Sequence, residues 1–150
     1  MNHNSWWFEP PSKRLALWRD FRQSLDTDNI TELCNTVIEW WQHAPLVNIT
    51  IDPVDSTNWP TPWEMLHQGD FCENSLSLGM AYTIYYANPK IKNELLFVTN
   101  EKKSFQQLCA KIDDNYLLNY ERGMISNFTE IDDISVSYSV NINKGLYQGI

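Results

Sequence analysis

The chain has 150 residues, a formal net charge of −8 and a pI of about 4.7. That length supports one domain with a real core. The acidic balance argues against duplex nucleic acid as the main partner, since phosphate binding needs basic clusters, and the apolar runs are too short to span a bilayer. Neither nucleic acid nor a membrane is therefore an expected partner.

Residues 1–11 are predicted to form an irregular aromatic arm, and residues 12–150 a single domain. Trp6, Trp7 and Phe8 followed by Pro10 and Pro11 do not suit a helix. Such an arm either packs across its own domain or inserts into a neighbour, so Trp6, Trp7 and Phe8 are the candidate interaction residues. Seven tryptophans are a high count; buried they make a heavy core, and exposed they mark contact surfaces. The first residues lack a charged region followed by an apolar one, so no signal peptide is expected.

Ser12 can cap a helix predicted from Lys13 to about Leu25, with Leu15, Trp18, Phe21, Arg22 and Leu25 at helical spacing. Lys13, Arg14, Arg19 and Asp20 line its remaining surface. A second helix is predicted from about Ile30 to His43, with Leu33, Val37, Trp40 and Trp41 as its apolar face, ended by Pro45. Residues 47–51 alternate and predict a short strand.

Thr61, Pro62 and Glu64 form a capping box with proline at the first helical position, and Gly69 stops this short helix at Gln68. Asp70 can cap a further helix from about Phe71 to Tyr86, whose Leu76, Met80 and Ile84 make one core-facing stripe. Cys72 falls in its first turn, where the helix dipole and unpaired N–H groups favour a thiolate. The other reading is an ordinary buried thiol. Strands are predicted over residues 94–99, 104–112, 116–120 and 134–142, with an edge segment within residues 124–133. In the last strand, Val136, Tyr138, Val140 and Ile142 share one side and serines share the other.

Three cysteines in no framework spacing (Cys34, Cys72, Cys109) predict reduced thiols and a cytoplasmic setting. Zinc-type spacings are absent, so no metal is expected. The N-x-T triplets at Asn29, Asn48 and Asn127 are read as chance.

The stretch from Trp59 to Glu73 resembles the bacterial transglutaminase-like cysteine peptidases, a family that includes periplasmic peptidases releasing surface adhesins. The family pattern W-x-T-P-x-E-x-L, a glycine turn and then D-C-E is matched by Trp59, Thr61, Pro62, Glu64, Leu66, Gly69, Cys72 and Glu73. The sequence GDFCEN replaces the family's longer turn. The segment 116–120 resembles the family's strand ending in L-D-N, and 137–141 with Gly145 resembles its C-terminal strand. The resemblance spans about residues 46–150. It implies an α+β, papain-like/transglutaminase-like fold, with N-terminal helices and a central cysteine-bearing helix packed on an antiparallel β-sheet.

The resemblance makes Cys72 the nucleophile position. It puts the base position, a histidine in the family, near Gln107, and the orienting acid position at Asn119. Glutamine and asparagine hydrogen-bond without titrating. Independently of any alignment, His3, His43 and His67 all precede Cys72 and no histidine follows it. Glu73 matches an acidic residue near the family's calcium site, but Asn74 stands where a second acid is needed, so no calcium or other cofactor is expected.

The favoured expectation is thus a catalytically inactive domain of this fold. It would act as a structural or interaction module with protein partners, in a homo- or hetero-oligomeric assembly. The asparagine-rich composition resembles that of small tailed-bacteriophage proteins and suggests a virion or assembly role, in host cytoplasm or virion. The alternatives are an active cysteine peptidase, amidase or transferase using Cys72 with a non-standard base such as His67, or a regulatory binder competing with an active relative for its substrate.

Overall fold

A computed structural model describes residues 3–48 and 51–144, with side chains for 5–48 and 51–143. Four α-helices, α1 (Pro11–Gln23), α2 (Ile30–Trp41), α3 (Pro62–Gln68) and α4 (Glu73–Ala87), precede five strands. The strands are β1 (Asn93–Asn100), β2 (Phe105–Ile112), β3 (Tyr116–Leu118), β4 (Ile125–Asn127) and β5 (Ile134–Asn141), joined in one antiparallel sheet of order β4-β3-β2-β1-β5.

α4 lies at the centre, between β1 and β2 on one side and α1, α2 and α3 on the other. Every residue from Asn74 to Ile84 is buried, so this stretch of α4 has no solvent face where a single core-facing stripe was expected. Its neighbours approach closely enough to require glycine at one position. A Cβ at Gly79 would lie 2.6 Å from the Trp41 ring. Thr83, one turn on, accepts hydrogen bonds from the indoles of both Trp18 and Trp41 at 3.0 Å and donates to the Gly79 carbonyl at 2.7 Å.

The N-terminal residues enter the same core. His3–Phe8 form a 3₁₀ helix instead of an irregular arm. Trp6 is buried; it stacks on Trp40 with ring centroids 4.0 Å apart and donates to the Trp40 carbonyl at 2.8 Å. Trp7 is half-buried, while Phe8 is 79% exposed and the most available of the three to a partner.

Other expectations shift for identifiable reasons. α1 begins at Pro11, because proline needs no N–H at a helix start. Arg14 is buried, not solvent-facing: it donates to the carbonyls of Glu9, Leu66 and His67 and so closes the end of α3. The guanidinium lies 2.9 Å from where a Gly69 Cβ would stand, and Gly69 has φ +74°, so glycine is required there twice over. α2 ends at Trp41 rather than His43.

Residues 46–48 form no strand; Leu46 makes a single parallel bridge with Phe71, and residues 49–50 of the predicted strand lie outside the described residues. β3 stops at Leu118 because Asn119 turns left-handed, with φ +67°. In β5, pairing passes from Phe97–Tyr138 to Val98–Val136, leaving Ser137 as an extra residue. That bulge reverses the alternation, so Val136 lies beside Val98 on the face away from the helices. Tyr138 and Val140 stay against the main core.

Among the described residues no helix is long and apolar enough to cross a membrane.

Candidate active site

Cys72 is the N-cap of α4 rather than a first-turn residue, with extended φ and ψ of −127° and 171°. Phe71 bridges to Leu46 and is held extended, so the helix starts two residues later than expected. The Ser75 hydroxyl accepts from the Cys72 N–H at 2.8 Å and donates to the Cys72 carbonyl at 3.0 Å. Cys72 is 1% exposed and packs in the main core between α4 and the helices. Cys72 does stand at the N-terminal end of α4, where the helix dipole favours a thiolate, but its thiol is sealed from solvent.

The start of α4 docks on β2 beside the point where β3 leaves the sheet. Asn74 Oδ1 accepts from the Leu108 N–H at 3.0 Å, and Ser77 Oγ donates to the Leu108 carbonyl at 2.5 Å. Asn119 Nδ2 donates to Ser77 Oγ at 2.8 Å and to the Glu73 carbonyl at 2.9 Å. Gln107 Nε2 donates to the Asn119 carbonyl at 2.5 Å. The base and acid positions expected from the sequence are therefore brought together near the cysteine-bearing helix end.

Their hydrogen bonds are structural ones. The only proton of Ser77 Oγ is given to Leu108, and the Glu73 carbonyl can only accept, so Asn119 must present a donor to both. An aspartate would aim lone pairs at two acceptors. Gln107 shares the outer face of β2 with Cys109, opposite the face of Leu108 and Ala110 that meets the main core. Its neighbour Gln106 occupies the helix-side face, exposed and 3.4 Å from Thr99 Oγ1. Whichever face is considered, this stretch of β2 offers glutamine.

A cleft of about 290 Å³ opens here, lined by Glu73, Phe105, Gln107, Asn119, Tyr120 and Arg122; Cys72 is not in its wall. Arg122 Nη1 meets both Glu73 carboxylate oxygens at 2.9 Å, and its Nη2 donates to the Gln42 carbonyl at 2.9 Å. His67 is exposed on α3, and Arg14 holds its carbonyl at 2.6 Å. Cys34, Cys72 and Cys109 are all buried, and none is in a disulfide. Burial, with the nearby Asp113 charge, pushes the Cys34 thiol up to about 12; burial also raises Cys109.

Ser75, Ser77 and Arg122, which with Asn74 organise this end of α4, were not singled out from the sequence. For Asn74, Ser75 and Ser77 the only local signal was a run of small polar residues at a helix start, and Arg122 carried none. Their partners lie 31 to 80 residues away, except for that of Ser75.

The architecture and the placement of the cysteine helix are those of the transglutaminase-like cysteine peptidase fold. Solved structures of LapG from Legionella pneumophila carry that likeness. The calcium-bound form superposes with a TM-score of 0.71 at 14% identity over 89% of this chain and 77% of LapG. The EGTA-treated form gives 0.70 at 14% identity over 88% and 74%, and a further LapG structure gives 0.69 at 13% over 88% and 75%. At these identities the likeness establishes the fold alone. No protein-family model matches the sequence, and no curated protein does.

Calcium does not fit the start of α4 in this chain. The Glu73 carboxylate is engaged by Arg122, whose positive charge opposes a cation, and the Asn74 amide oxygen is committed to Leu108. Among the described residues no three His, Cys, Asp or Glu side chains cluster to hold a metal ion.

Proposed function

We propose that this chain is a transglutaminase-like domain without cysteine-peptidase chemistry, serving as an interaction module in a protein assembly. The observation that carries this reading is the donor role imposed on Asn119. The site of the orienting acid is tied into a hydrogen-bond network that an acid would break. The absence of any histidine after Cys72 and the burial of its thiol point the same way. A triad base accounts for several orders of magnitude in rate. The asparagine-rich composition supports the narrower proposal of a bacteriophage virion or assembly component.

The test is alkylation with iodoacetamide across pH, with each cysteine followed by peptide mapping. Cys72 of the folded protein should stay unmodified and react only after denaturation. The competing reading, an enzyme using His67 as base, requires reaction of native Cys72 near neutral pH. It also requires covalent capture by a peptide electrophile that is lost in Cys72→Ala and His67→Ala. Those two results together would overturn the proposal.

A further inference from the structure

Arg22 sits near the end of α1, where the start of α3 and the end of α4 converge. Its guanidinium carbon lies 4.7 Å from the centre of the Trp18 ring and 5.8 Å from that of Tyr86. Trp63 meets Tyr86 at 5.1 Å and 73°, and Trp18 at 6.1 Å and 87°. Tyr85 stands against Tyr86 at 5.1 Å and 86°. Trp18 is the buried floor, and Trp63, 45% exposed, is the outer wall.

The other three arginines all have acceptors. Arg14 holds three carbonyls, Arg19 meets Asp20, and Arg122 holds Glu73 and Gln42. Among the described residues no hydrogen-bond acceptor meets Arg22, and its Nε is shielded from water without a partner. The shortage is not one of acids, since the chain has 19 acidic against 11 basic residues. A guanidinium presents five donors in a planar fork that matches a carboxylate. Here the guanidinium lies over the Trp18 ring and close to that of Tyr86, and Trp63 packs edge-on against both rings. Preorganised aromatic and arginine side chains are the groups that concentrate binding energy at protein contacts.

We propose that Arg22, Trp63, Tyr85 and Tyr86 form a docking site for a carboxylate-bearing segment of a partner protein, with an apolar or proline residue beside the acid. A carboxylate is favoured over a phosphate because the site offers a single unpaired cation. Arg19 nearby is already matched with Asp20, and the chain as a whole is acidic. The proposal rests on the reading of the chain as an interaction module and names the surface used.

The test is nuclear magnetic resonance of the whole chain, following the Trp63 indole N–H and the Arg22 Nε–H. The probes are a blocked Phe-Glu-Pro-Phe peptide, the same peptide with glutamine for glutamate, and inorganic phosphate. Both signals should shift saturably with the glutamate peptide. Binding should be at least tenfold weaker for the glutamine peptide and for phosphate, and at least tenfold weaker in Arg22→Gln and in Trp63→Ala, whose folding circular dichroism would verify. No shift at millimolar glutamate peptide, equal binding of the glutamine peptide, or stronger binding of phosphate would each overturn the assignment. Failure here leaves the thiol labelling of Cys72 unchanged, and a reactive Cys72 leaves this surface unchanged, so the two proposals fail separately.

Discussion

Thr83→Val replaces a hydroxyl by a methyl of nearly the same size at the centre of the fold. The hydroxyl accepts from two indole N–H groups and donates to one carbonyl, so all of its hydrogen-bonding capacity is used. Valine removes the acceptor and leaves the Trp18 and Trp41 N–H groups buried with nothing in its place. Neither ring has room to turn elsewhere. Trp41 lies against Gly79 at a distance that excludes even a Cβ, and Trp18 is enclosed by Trp63, Tyr86 and Arg22. A buried donor without an acceptor costs about 1–3 kcal/mol, so two cost about 2–6 kcal/mol. The added methyl returns about 1 kcal/mol by apolar burial. A net loss of about 1–5 kcal/mol is expected, a sizeable share of the roughly 5–15 kcal/mol that stabilises a typical domain. Urea unfolding followed by tryptophan fluorescence and circular dichroism measures it, with Thr83→Ser as the control. Serine keeps the acceptor and deletes one methyl, for about 1 kcal/mol. A Thr83→Val loss of less than about 0.5 kcal/mol, or a serine variant less stable than the valine variant, would refute the acceptor role of the hydroxyl.

Asn119→Asp should lower stability by about 2–4 kcal/mol near neutral pH, because a carboxylate there faces two acceptors. The loss should shrink as pH falls and the acid gains a proton to donate, which thermal melts at pH 7 and pH 4 would reveal. Trp6→Ala should cost about 3–5 kcal/mol, as deletion of a core aromatic does; an unchanged denaturation midpoint would place Trp6 outside the core. The Cys34 thiol, held up to about 12 against an ordinary 9.0, keeps its proton in the fold while the unfolded chain loses it. Its contribution is therefore complete below about pH 9 and is lost as pH rises towards 12, on the order of 4 kcal/mol over the whole range. Cys34→Ala should flatten the decline in stability between pH 8.5 and pH 10.5, and an unchanged slope would contradict the burial argument.

Much of the architecture was legible because its signals are short-range. The capping box of Thr61 and Glu64 and the left-handed stop at Gly69 depend on residues three to eight positions apart, and both stand where the sequence put them. The strand centres followed from alternation, and the lack of histidine after Cys72 needed no structure at all. The sequence also located the helix carrying Cys72 and the two positions, Gln107 and Asn119, that meet near its start. What it could not supply was environment. Whether Cys72 faces a cleft or the core, and whether Arg14 is solvated or buried under α3, depends on contacts dozens of residues away; Arg14 reaches Leu66 across 52 positions. A β-bulge at Ser137 likewise turned Val136 to the other face, although its residue pattern was regular. Local spacing specifies which backbone groups can satisfy one another. Tertiary packing alone decided that Asn119 must donate, that Cys72 is sealed, and that Arg22 meets no acceptor among the described residues, because each depends on which distant atoms were brought alongside.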